Sequence, residues 1–125
     1  MEISPLAAGT RKVIQAYGNG GFRVSGETLT GSILIRPDWV RRWDVAEFSQ
    51  ISLAGLSPLV DPPGGAEILI IGCGARIALV APSLRQALKA AGMAVEAMDT
   101  GAACRTYNVL MGEERRVAAA LIAVA

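Results

Sequence analysis

The residues best placed to do chemistry fall in one run, MDTGAACRTYNVLM at 98–111, which carries Asp99, Thr100, Arg105 and Asn108. A carboxylate and a hydroxyl precede helix-forming residues and Gly112 follows them, so the pattern predicts an N-cap, a helix and a C-cap. On that helix Gly101, Arg105 and Asn108 share one face, while Ala103, Tyr107, Leu110 and Met111 lie on another. Helical side chains lean toward the N-terminus, which lets Arg105 reach back toward Asp99. Two readings stay open. Arg105, Asn108 and free backbone N–H groups can together hold an anion. Alternatively Asp99 is only a cap, and Arg105 pairs with a carboxylate that ties the helix to a sheet.

Other chemistry is narrowed by what the chain contains. It has no histidine, so the usual general base and the commonest metal ligand are missing, and a Ser-His or Cys-His nucleophile is excluded. Cys73 and Cys104 are too far apart in sequence for zinc-site spacing and are expected to be reduced, buried thiols. The stretch IGCGA at 71–75 resembles the start of a dinucleotide fingerprint, but Ile77 occupies the third glycine position and no Walker lysine follows. Gly72 and Gly74 therefore suit a tight exit from a strand. No cofactor and no metal are expected.

Two groups of residues remain as candidates. Strand ends after Ile71 and Met98 would open on one edge of a parallel sheet, where ligands commonly sit. The candidate ligand or partner site there comprises Gly72, Gly74, Asp99, Thr100, Arg105, Tyr107 and Asn108. The segment PDWVRRWD at 37–44 offers Trp39, Arg41, Arg42 and Trp43 as a candidate partner surface. The alternative there is that the tryptophans cover the end of the core. Asp38 and Asp44 would then neutralise two solvated arginines.

The elements that must position these residues follow from composition and punctuation. A 125-residue chain that is 52% hydrophobic but only 5% aromatic packs mainly with aliphatic side chains and fits one domain. Residues 1–10 are expected to be a flexible tail and 11–125 a single α/β domain. Strands at 12–17, 22–24 and 28–35, divided by Gly-rich turns, form an antiparallel meander. Residues 37–44 are expected to be irregular. A helix over 52–60, capped by Ser52 and with Leu53, Leu56, Leu59 and Val60 facing inward, ends at DPPGG, 61–65. A buried strand over 67–71, a helix from Pro82 to Gly92, and a strand over 93–98 imply parallel pairing. Residues 115–124 are apolar on both alternations and form a central strand. The expected architecture is a three-layer α/β sandwich: a central mixed sheet of about five strands flanked by helices, plus the N-terminal meander.

Net charge of +1 argues against nucleic acid as a partner, although ten of the twelve cationic residues are arginine. The N-terminus lacks a signal-peptide pattern and no run is long enough to span a bilayer. A cytoplasmic protein is expected, and peripheral membrane association is permitted.

The ordered segments YGNGGFRVSG, GSILIRP, ILIIGCG and MDTGAACRTYNVLMGEERRVAAALI resemble the family of the mitochondrial respiratory complex I assembly factor three and its small bacterial and archaeal relatives of unknown function. The resemblance runs from about Tyr17 to the C-terminus. Its matching positions are Gly72, Gly74, Asp99, Thr100, Gly101, Arg105, Thr106, Tyr107 and Asn108; Cys73 stands where the family usually carries threonine. It implies a three-layer sandwich around a mixed five-stranded sheet. It also implies a non-catalytic binding or assembly module whose partner is a complex I subunit or another assembly factor. The alternative is a small-ligand or anion-binding protein, an enzyme included, with its site near Gly72 and Asp99.

Overall fold

The computed structural model describes residues 11–60 and 65–125. The tail expected at 1–10 and most of the turn at 61–65 lie outside the described residues. Three short strands come first: β1 (Ile14–Gly18), β2 (Gly21–Val24) and β3 (Glu27–Thr30), paired antiparallel in the order β1-β2-β3. Both hairpins use two-residue turns. Asn19 and Gly20 have φ of 52° and 79°, and Ser25 and Gly26 have 45° and 87°. Two consecutive positive φ values give the turn a twist that matches the flanking strands, which explains the choice of Asn-Gly and Ser-Gly.

The single strand expected over 28–35 is two strands. Gly31, with φ of 89°, breaks it, and β4 (Ile33–Arg36) enters a different sheet. Ser32 fixes the crossing point, since its carbonyl accepts from Trp43 N–H at 2.8 Å and its hydroxyl accepts from Ala123 N–H at 2.9 Å. The segment expected to be irregular is also ordered: β5 (Trp39–Arg42) pairs antiparallel with β4 through a two-residue turn at Pro37 and Asp38. Aromatic and β-branched residues at Trp39 and Val40 favour that extended backbone over a loop.

The helix expected over 52–60 is shorter. Phe48–Gln50 and Ala54–Leu56 are 3₁₀ turns, and only α1 (Ser57–Val60) is α-helical. Pro58 has no N–H to give to a preceding turn, so it is tolerated in the first turn of α1, where none is needed, and not in the middle of a longer helix. Ser52 still acts locally, accepting from Gly55 N–H at 3.1 Å. Leu56 and Leu59 are buried as expected, but Leu53 faces solvent and Val60 is half-buried.

The larger sheet contains β6 (Ile68–Gly72), β7 (Ala94–Met98) and β8 (Val117–Leu121) in the order β5-β4-β8-β6-β7. β6 pairs parallel with both β7 and β8, and β4 pairs antiparallel with β5 and β8, so the sheet is mixed. Parallel pairing needs crossovers, which α2 (Pro82–Ala90) and α3 (Thr100–Gly112) supply. Central strand β8 sends Ala118 and Ala120 to a core with Leu34, Leu69, Ile71, Leu59 and Leu88. Its Val117, Ala119 and Leu121 enter a second core with Ile33, Ile35, Ile70, Phe22 and Tyr107. The sheet thus has α1 and α2 on one face. On the other lie α3 and the meander, and small alanines at the centre let both layers approach closely.

The end of α3 departs from expectation. Gly112 is its last residue, and it is Glu114 that takes the left-handed conformation, with φ of 62°. Arg115 N–H donates to Leu110 C=O at 3.0 Å and Glu114 N–H to Met111 C=O at 2.9 Å, the pair of bonds of a Schellman motif.

Candidate functional site

Asp99 and Thr100 close the strand ends. Asp99 is the N-cap of α3, its Oδ1 accepting from Ala102 N–H at 3.0 Å. Thr100 is fully buried. Its hydroxyl donates to Ile122 C=O at 2.7 Å and accepts from Gly74 N–H at 3.0 Å, while its own N–H donates to Gly74 C=O at 2.9 Å. One threonine therefore stitches the exit of β6, the start of α3 and the end of β8. Gly72 is needed beneath it: a Cβ there would stand 2.9 Å from Leu121 Cδ2 and 3.1 Å from both Thr100 Cα and Oγ1. Gly74, with φ of 103°, makes the turn away from the strand. These contacts pack the space between Gly72, Thr100 and the end of β8.

Further along α3 the polar side chains hold the N-terminal strand. The Asn108 amide brackets Ile14, accepting from its N–H at 3.0 Å and donating to its C=O at 2.8 Å. This bracket lies where the β1–β2 register shifts between Ile14 and Ala16, so the side chain substitutes for a neighbouring strand. Buried Tyr107 donates to Lys12 C=O at 3.0 Å. Arg11 donates to Met111 C=O at 2.9 Å, placing a cation at the negative end of the helix dipole, and pairs with Glu114 at 3.2 Å. Gly101 lets Tyr17 lie against the helix, since a Cβ would stand 2.5 Å from its hydroxyl. Neither Arg11 nor Tyr17 has a local motif that betrays its partner, which lies far along the chain on α3.

Arg105 is exposed, and among the described residues no carboxylate forms an ion pair with it. It flanks an open depression of about 250 Å³ together with Ile14, Gln15, Tyr17, Cys104 and Asn108. The structure thus groups Arg105 with Asn108 and β1, and places Gly72, Gly74 and Thr100 in the sealed junction at the helix start. Cys104 is buried, and burial pushes its thiol up to about 12, with Arg105 acting in the opposite sense. Burial also pushes the Tyr107 phenol up, with Asp38 adding to the effect. Neither group is poised to ionise near neutrality. Cys73 and Cys104 are both free and sit in the two different cores.

The tryptophan segment divides in two. Trp43 is buried in the core, its indole N–H without a partner among the described residues. Trp39 is half-buried, and the Arg41 guanidinium stacks 4.3 Å from its ring centroid. Arg41 and Arg42 are exposed on edge strand β5. Trp39 and Arg41 therefore lie on one face of β5 and Arg42, like Val40, on the other, while Trp43 is enclosed in the core. Among the described residues no group of three or more acidic or cysteine side chains could hold a metal ion.

Fold and site together define a three-layer α/β protein whose best polar constellation clamps its own backbone. The sequence profile of the family described as "Protein of unknown function (DUF498/DUF598)" matches residues 14–122, and the chain belongs to that family. It is 40% identical over 118 residues to a Danio rerio protein named NADH dehydrogenase [ubiquinone] 1 alpha subcomplex assembly factor 3, covering 93% of this chain and 66% of the relative. An uncharacterized Rhodobacter capsulatus protein is 38% identical over 109 residues, covering 87% of this chain and 82% of that one. A crystal structure titled as an outer membrane protein from Bartonella henselae superposes with a TM-score of 0.86 at 36% identity, covering 93% of this chain and 98% of the other. The chain spans about 60 to 66% of the length of the first animal relatives it matches.

Proposed function

We propose that this protein is a non-catalytic binding module that assists the assembly of a respiratory NADH:ubiquinone oxidoreductase. Its partner in that role is a subunit of the enzyme or a second assembly factor. Support from relatives is direct in name: proteins with 40% and 35% identity are called assembly factor 3 of that enzyme's alpha subcomplex. The observation that carries the reading is the junction at Gly72, Gly74 and Thr100. An enzyme or ligand-binding protein of this architecture would be expected to keep the strand ends open. Here the Thr100 hydroxyl satisfies two backbone groups and has no exposed surface. Protein contact is then assigned to outer surfaces, with the edge strand carrying Trp39, Arg41 and Arg42 as the first to test.

The test is deletion of the gene in a host that makes this oxidoreductase, followed by native gel electrophoresis of its membranes. Loss of the assembled enzyme, accumulation of subassemblies and rescue by the wild-type chain are expected. Normal assembly in the deletion strain would overturn the proposal.

A further inference from the structure

Between β6 and α2 lie the two most accessible large aliphatic side chains among the described residues, Leu79 at 93% and Ile77 at 68%. The segment is anchored. Gly74 is bonded to Thr100 through both its N–H and its C=O, Cys73 Sγ lies 3.8 Å from Ala78 C=O, and Val80 is buried. Ala78 is half-buried against the core, so residues 77–80 alternate out, in, out, in. Outer positions of such an alternation usually carry polar groups, because nothing there compensates apolar exposure. Here they carry isoleucine and leucine, with Arg76 immediately before them.

Charge in this region is one-sided. From Gly72 to Val95 the sequence has Arg76, Arg85 and Lys89 and no acidic residue, in a chain whose overall charge is only +1. All three cations are exposed, although Arg85 also donates to Val95 C=O at 2.9 Å. Arg76 adjoins the aliphatic pair in sequence, and Arg85 stands one turn into α2.

We propose that this loop is a membrane-surface contact: Ile77 and Leu79 enter the acyl boundary of an anionic bilayer while Arg76 meets lipid phosphate. A protein partner suits the geometry less well. Stable protein interfaces bury roughly 1,200 Å² or more against a complementary shape, whereas two projecting aliphatic side chains match a deformable medium. Binding is weak and reversible, comparable to that of one short acyl chain, so the loop supplies one of the two signals that lasting attachment needs. The inference does not depend on the assembly role.

Sedimentation with vesicles of equal phosphatidylglycerol and phosphatidylcholine tests it. Wild type should half-saturate at roughly 0.1–1 mM lipid, and phosphatidylcholine vesicles should retain much less. The double variant Ile77→Ser, Leu79→Ser should lose about tenfold or more in partitioning. Arg76→Gln should lose about threefold, an effect that disappears at high salt. Both sites are exposed, so unchanged thermal unfolding will show that the variants fold. The proposal is overturned by absence of binding to anionic vesicles, or by equal binding of the double variant. It is equally overturned if gel filtration shows a dimer that the double variant abolishes, because the loop would then be covering a second copy.

Discussion

The Thr100 hydroxyl ties the exit of β6 and the end of β8 to the start of α3. Thr100→Val keeps the volume but leaves Gly74 N–H and Ile122 C=O without their partner in a buried site. Stranding such groups costs about 2 kcal/mol or more, which urea unfolding would measure directly. Arg105→Ala should instead change stability by no more than about 0.5 kcal/mol, because the side chain is exposed and forms no ion pair among the described residues. The sequence pointed to both residues but could not rank them. Thr100 and Arg105 look equally polar in a helical run, and only the packing of β8 against the helix start decides which one is enclosed. Titration adds a further expectation. The Cys104 thiol rises from an ordinary 9.0 to about 12, and Tyr107 is raised as well. Groups with raised values stay protonated in the fold while the unfolded chain ionises. Their contribution is therefore complete below pH 9 and falls as pH climbs toward 12, by about 1.4 kcal/mol per pH unit for each titrating group. Unfolding free energies measured from pH 8 to 11 should decline accordingly, and a flat profile would contradict the assignment.

Glycines and the α3–β1 contact set the behaviour of the elements. Gly72→Ala forces a methyl against Thr100 backbone and Leu121 and should destabilise by about 1–3 kcal/mol. Gly112→Ala meets nothing within 4 Å and sits at ordinary helical φ, so it should stabilise α3 by up to about 1 kcal/mol. Denaturation midpoints of the two variants should move in opposite directions. Asn108→Ala removes both bonds to Ile14, and the loss should show as faster amide exchange along β1 before the larger sheet is affected. Periodicity located the strands β6, β7 and β8 and the helices α2 and α3 within a few residues, because long apolar patterns are set locally. It missed the break at Gly31 and the strand at Trp39–Arg42, where the choice between sheets depends on distant partners such as Ala123. The Ile77 and Leu79 exposure was equally hidden, since an apolar run reads as core until the fold shows which side faces out.

At the scale of the whole molecule, the protein is a clamped sandwich with contacts left to its periphery. Within residues 37–44 the roles divide: Trp43→Ala should cost about 3–5 kcal/mol as a core truncation. Replacing Arg41 and Arg42 with alanine should leave stability nearly unchanged and weaken partner capture. The central claim is that this chain works by binding a protein of the oxidoreductase assembly line. The most direct measurement is affinity capture of the tagged chain from native cells, with bound proteins and small molecules identified together. The account predicts subunits or assembly factors of NADH:ubiquinone oxidoreductase in stoichiometric amounts, reduced in the Arg41 and Arg42 variant. A stoichiometric small molecule with none of those proteins would contradict it.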